Sequence, residues 1–170
     1  ADKLEKKMFK RILNYIDYLI GYVNPLSSVF IAIDGVAPFA KMSQQRKRRY
    51  KTIIDNEIYG KVKEKYGKNT KFIWSNTAIT PGTEFMEKLH QEILKHISKP
   101  NFKIKYTYSS YHTPGEGEHK ILQDIKKNNQ DSINKTCVIY GLDADLIFLA
   151  LASQKSNIYL LREEMYLKKD

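Results

Sequence analysis

The chain has 170 residues, 42% apolar and 28% charged, and 29 Lys and Arg against 19 Asp and Glu give a net charge of +10. That is the length of one domain, or of a piece of a larger one, with enough apolar residues to bury a core. No apolar run approaches the roughly 20 residues of a membrane helix, the single Cys137 excludes an internal disulfide framework or a cysteine-built zinc site, and His90, His96, His112 and His119 lack paired zinc spacing.

The expected setting is therefore a reducing intracellular compartment, cytoplasmic or alternatively nuclear, with an acidic partner and no membrane. Ala1 in place of Met points to an excised segment. The charge is uneven: residues 1–85 hold 16 basic and 8 acidic side chains, and 41–51 alone carry six positive charges and no negative one.

In chain order, Leu4, Met8, Ile12, Tyr15, Leu19 and Tyr22 recur at three- and four-residue steps, so 4–23 is an amphipathic helix stopped by Asn24-Pro25. Residues 28–33 (Ser-Val-Phe-Ile-Ala-Ile) form a buried strand ending on Asp34-Gly35. A second helix runs from about Lys41 to Lys65, closed by Gly67, and a third from Pro81 to Ser98. Alternation at Phe102, Ile104, Tyr106 and Tyr108 predicts a strand over 102–108. The Pro114-Gly115 turn leads into a helix to about Asn128, followed by a strand over 136–140, a helix over 143–153 and a strand over 157–161. Such alternation predicts an α/β fold, a mainly parallel sheet flanked by helices.

Open parallel sheets bind ligands beyond the carboxyl ends of their strands. Asp34 follows the first strand, Glu116 and Glu118 follow the turn after the second, and Asp143 and Asp145 follow the third. Glu118 shares a helical stripe with Ile121, Leu122 and Ile125, and Asp145 a face with Leu142, Leu149 and Ala152, so both are expected toward the core. A buried carboxylate needs a cation or firm hydrogen bonds, and hard divalent ions take oxygen ligands. Taken singly, each acid is more simply read as an N-cap or helix-dipole residue than as a metal ligand. Five acids from three strand ends are less simply explained by capping, which does not ask them to converge.

Lys41, Gln45, Arg48 and Arg49 share one side of the second helix. Three of the five arginines lie within 46–49, and a guanidinium fork grips a phosphate through two parallel hydrogen bonds. A solvated basic face or a generic nucleic-acid patch also fits. The block lacks an apolar stripe until Tyr50, Ile53 and Ile54, so it should project from the core.

Four ordered motifs resemble the XRN family of 5′→3′ exoribonucleases. They are Asp34-Gly-Val-Ala-Pro-Phe-Ala-Lys-Met-Ser-Gln-Gln-Arg-Lys-Arg-Arg, Thr80-Pro-Gly-Thr-Glu-Phe-Met, Pro114-Gly-Glu-Gly-Glu-His-Lys and Tyr140-Gly-Leu-Asp-Ala-Asp-Leu-Ile, with Leu160-Leu-Arg-Glu-Glu as a continuation. The resemblance covers residues 8–167 and implies that 1–170 is a fragment of an N-terminal nuclease domain with an incomplete PIN/FEN-like core. It implies degradation of single-stranded RNA bearing a 5′-monophosphate, with Mg²⁺ or Mn²⁺ as cofactor. By motif match Asp34, Glu116, Glu118, Asp143 and Asp145 are the metal-binding catalytic acids, and Lys41, Gln45, Arg48 and Arg49 the 5′-phosphate pocket. Two further catalytic Asp residues of the family, and an early strand of its sheet, lie outside this chain; Phe39 stands where the family usually has Arg. The remainder of the parent protein is thus expected to complete the site, and the fragment alone to be weakly active or inactive. The alternatives are a structure-specific flap-type nuclease on DNA, against which the basic helix argues, and a non-catalytic RNA-binding segment, against which the five acids argue. Trp74 and Cys137 are expected to pack, Tyr108 and Tyr111 lie near the acids, and His112 and His119 are expected to hydrogen-bond.

Overall fold

A computed structural model describes residues 2–68, 74–99, 104–128 and 135–164. Helix α1 (Asp2–Val23) buries Phe9 and packs Met8, Ile12 and Leu13 against the core, whereas Leu4, Tyr15 and Tyr22 of the expected stripe stay exposed, and it ends where Asn24 takes a left-handed φ of 48° before Pro25. Strand β1 (Ser28–Ala32) leads to helix α2 (Phe39–Lys65). None of the 27 residues of α2 is buried, as its polar composition requires, so the basic block does project from the core. Helix α3 (Glu84–Ile97) is followed by β2 (Lys105–Ser109), α4 (Gly117–Lys127), β3 (Cys137–Tyr140), α5 (Asp145–Ala152) and β4 (Ile158–Leu161).

One helix start differs from expectation. Pro81 does not open α3; Gly82, at φ 89°, turns the chain, and Thr83 caps the helix by accepting the N–H of Met86 on its hydroxyl at 3.3 Å. A hydroxyl that satisfies an otherwise unpaired N–H outweighs proline's preference for a first turn. The start of the strand expected at 102–108 lies outside the described residues; from Lys105 onward Tyr106 and Tyr108 are the more buried positions.

The strands are parallel, as the alternation predicts. β1 pairs with β2, Ser28 opposite Lys105 through Ala32 opposite Ser109, and β3 pairs with β4, Cys137 opposite Ile158 through Tyr140 opposite Leu161. Among the described residues these are two separate two-stranded pairs, consistent with an incomplete sheet.

Each pair has its own core. Phe9, Phe85, Met86, Leu89 and Ile93 join α1 to α3, with the Trp74 ring tilted against Phe85 at 5.0 Å between centroids and Ile33, Tyr108 and Tyr111 packed alongside. Ile125, Ile139 and Leu146 form the second core between α4, β3 and α5, with Cys137 packed beside them. Helix α4 serves both halves: Ile125 enters the second core, while its first turn abuts the end of β1. Tyr15 ties α1 to the second pair, donating to Glu163 at 2.5 Å and lying 3.0 Å from the Tyr140 hydroxyl.

Candidate metal and phosphate site

The carboxyl end of β1 and the segment before α4 are packed backbone to backbone. Gly35 donates to the Gly115 carbonyl at 2.8 Å and Gly115 to Val36 at 2.9 Å. A Cβ on Gly35 would lie 1.9 Å from the Thr113 carbonyl oxygen, so only glycine fits there. Gly115 adopts φ 100°, turning the chain into α4. Gly117 then donates its N–H to Asp34 Oδ1 at 2.6 Å. That bond joins the first predicted acid to the segment carrying the Glu pair.

Glu116 is the residue preceding α4, yet its side chain makes no capping bond. Its carboxylate instead meets the Lys41 ammonium at 2.5 Å. That contact, with the fields of Glu118 and Asp145, holds Lys41 above its ordinary pKa. Glu118 is half-buried, and burial, followed by the charges of Asp143 and Glu116, raises its carboxyl above the usual range. Ligand atoms of Glu118, Asp143 and Asp145 all lie within 4.8 Å of one another, as do those of Glu116, Glu118 and His119. Asp145 is exposed at the first turn of α5 rather than turned to the core, because it sits at the rim where the helix begins. Asp143 caps locally as well, accepting the Asp145 N–H at 3.2 Å. Arg162 donates to the Leu142 carbonyl, bracing this loop from the end of β4.

Asp34, Glu116, Glu118 and Asp143 line one cavity of about 330 Å³ with Lys41, Gln45 and Arg48. Asp145 completes the acidic group beside it, whereas Arg49 is not part of the wall. A larger groove of about 770 Å³ lies between α1 and α3, where Lys88 pairs with Glu5 and Glu84, Lys95 with Glu92 and His96 with Asp17. Tyr108 and Tyr111 are outside the acidic cavity: Tyr111 donates to Glu87 at 2.5 Å, and Tyr108 lies 3.2 Å from His90. His119 lies 3.5 Å from Glu116 and 3.8 Å from Glu118.

The donor set suits a hard divalent cation. The triad of Glu118, Asp143 and Asp145 offers only carboxylate oxygen, which Mg²⁺ and Mn²⁺ favour. Carboxylates whose burial and mutual repulsion disfavour ionisation gain most from a cation among them.

Sequence comparison gives this arrangement its context. The family model described as XRN 5'-3' exonuclease N-terminus matches residues 1–164. The chain is 39% identical over 178 residues to human 5'-3' exoribonuclease 1, an alignment covering 95% of this chain and 10% of that protein. It is 40% identical over 176 residues to 5'-3' exoribonuclease 1 of Saccharomyces cerevisiae, covering 95% and 11%. Identity is 37% over 188 residues to 5'-3' exoribonuclease 2 of Eremothecium gossypii, covering 98% and 20%. The chain thus spans between a tenth and a fifth of the length of these curated relatives. With its four motifs in order and nearly its whole length matched, the chain belongs to the XRN 5'-3' exonuclease family, in the N-terminal region.

Proposed function

We propose that the protein carrying these residues is a 5′→3′ exoribonuclease that removes nucleotides from single-stranded RNA bearing a 5′-monophosphate, with Mg²⁺ or Mn²⁺ held by Asp34, Glu116, Glu118, Asp143 and Asp145. One observation carries the reading: Lys41, Gln45 and Arg48 wall the same cavity as Asp34, Glu116, Glu118 and Asp143. Cations beside ion-binding acids suit a substrate that is itself a phosphate, held one nucleotide from the bond to be cut.

The chain's own groups divide the work. Arg48 offers a planar fork of donors to a terminal phosphate and Lys41 a compact charge, so a monophosphate is matched in charge and size. Gln45 adds a neutral amide to the same wall. A triphosphate brings more negative charge toward Glu116 and Asp143, and a 5′-hydroxyl leaves the clamp unfilled. Divalent ions, when bound, supply Lewis-acid activation of water and charge stabilisation of the leaving oxygen. The acids fix where that charge is placed. Contacts to phosphate rather than to bases make cleavage largely independent of sequence. The remainder of the parent protein supplies the rest of the site, and the single cysteine fits a reducing intracellular compartment, cytoplasmic or nuclear.

The test is hydrolysis by the full-length protein of 5′-monophosphate, 5′-hydroxyl and 5′-triphosphate RNA and of flapped DNA, with Mg²⁺ or with a chelator. Stepwise release of mononucleotides is expected only from monophosphorylated RNA and only with the ion. Equal cleavage of all three RNA ends, a preference for flapped DNA, or activity in chelator overturns the reading.

A further inference from the structure

Lys120 is the one charged residue among the buried positions of the described chain, only 6% exposed. Its ammonium is held by two backbone carbonyls, Ile33 at 2.7 Å and Ser110 at 2.9 Å. Those two residues stand where the β1–β2 ladder ends. Ala32 lies opposite Ser109, and Ile33 makes the last bond, its N–H donating to Ser109 at 3.0 Å. One step further the chains part: Ile33 continues into Asp34, and Ser110 enters the turn closed by the Thr113 N–H at 3.2 Å. A side chain from α4 therefore spans the point of divergence.

Three acid-bearing pieces meet through this one group. Lys120 is one helical turn after Glu116 and two residues after Glu118. It grips the residue preceding Asp34, and through Ser110 it grips the segment that returns to Glu116. A lysine ammonium taken out of water is unfavourable unless its donors are met, and here the carbonyls meet two of them. Its burial also sets a positive charge facing Asp34; the strand cation Lys105 stands at the opposite end of the β1–β2 ladder, across from Ser28, and the nearby acids of α4 are Glu116 and Glu118.

The geometry points to Lys120 as a positioning residue that sets the spacing of Asp34 against Glu116 and Glu118, and thereby the affinity of the site for its divalent ion. Lys120 is not among the residues lining the cavity, and its link to the phosphate clamp of Lys41, Gln45 and Arg48 runs through the Glu116 contact with Lys41, so RNA-end binding is expected to respond less than ion binding. The inference rests on the proposed function, because it assumes an ion among these acids.

The test is Mn²⁺ affinity measured by calorimetry on full-length protein, beside the affinity for an uncleavable 5′-phosphorylated RNA measured in chelator. Groups that orient metal ligands are typically worth about 10–100-fold in metal affinity. Lys120→Met, which keeps most of the stem, is expected to weaken Mn²⁺ by about tenfold or more and RNA-end binding by less than about threefold. Loss of both together marks general damage to the fold and overturns the proposal, as does unchanged Mn²⁺ affinity. Should Lys120→Met not fold, Lys120→Arg carries the test. It keeps the charge but is too long for the two carbonyl contacts, and is expected to weaken Mn²⁺ by about threefold or more. An Arg variant that folds and binds Mn²⁺ as the parent does overturns the proposal. Wild-type protein that binds no Mn²⁺ at all overturns the proposed function instead.

Discussion

Two glycines near the acids face the same nominal overlap and should respond differently to alanine. A Cβ on Gly35 would lie 1.9 Å from the Thr113 carbonyl oxygen, 2.8 Å from its carbon and 2.9 Å from the Tyr111 carbonyl oxygen. All three obstacles are backbone. To open the first contact to 3.0 Å, the 111–113 segment must move by about 1 Å, against bonds from Gly35 to Gly115 and from Gly115 to Val36. A Cβ on Gly141 would lie 2.1 Å from Leu146 Cδ1, the far end of a side chain, with the next atom at 3.6 Å. A rotamer change relieves that contact, at a cost of about 0.5–1.5 kcal/mol within a packed core. Gly35→Ala combines overpacking of about 1–3 kcal/mol with loss of a buried backbone bond worth about 1 kcal/mol, so about 2–4 kcal/mol in all. Urea unfolding of each variant, followed by tryptophan fluorescence from Trp74 in the first core, measures the difference. Equal midpoints for the two variants would refute the distinction between backbone and side-chain obstacles.

Glu118 carries a pH signature. Its carboxyl is raised above the ordinary range by burial and by Asp143 and Glu116, so the folded chain binds that proton more tightly than the unfolded chain. Stability attributable to this group therefore falls as pH rises from the ordinary carboxylate range through the raised value. Glu118→Gln is expected to raise the melting temperature at neutral pH in chelator and to flatten this dependence, while Mn²⁺ stabilises the parent more than the variant; a lower melting temperature in chelator contradicts it. In the clamp, Arg48 lines the cavity and Arg49 does not. Arg48→Met is expected to raise KM for 5′-monophosphorylated RNA about tenfold or more, the worth of a charge-assisted bond, and Arg49→Met to raise it less. Initial-rate measurements giving the reverse order would place the phosphate elsewhere.

Much of the site was legible because the relevant residues lie at strand ends, and strand ends show in a sequence as the point where an apolar run stops. Asp34 directly after Ile33 and Asp143 shortly after Tyr140 are placed in this way by the sequence alone. Helix starts were less legible. Pro81 reads as a first-turn residue, yet the side-chain oxygen of Thr83 and the φ of Gly82 decided the boundary. Arg49 shares a predicted helix side with Arg48, but one residue is a rotation of about 100°, enough to leave the cavity wall. The separation into two strand pairs was not legible at all, since parallel pairing depends on which strands meet across helical connections rather than on local pattern.

Lys120 shows why a residue can be essential to geometry and silent in sequence. It follows Glu116 by four residues, the spacing of an ordinary surface ion pair on a helix, and it closes the run Glu116-Gly-Glu-His ahead of Ile121 and Leu122. In the fold that pairing is not made. Glu116 turns to Lys41 on α2, and the Lys120 ammonium turns inward to two carbonyls of another element. The choice follows from the close approach at Gly35 and Gly117, which brings backbone carbonyls nearer the first turn of α4 than side chains could allow. Helix α4 then links the two halves of the site: it faces Asp34 through Gly117 and Lys120, and the second core through Ile121 and Ile125. Acids carried by three different strand ends can share one cavity because one short helix is bonded at its start to the first strand pair and buried along its length against the second.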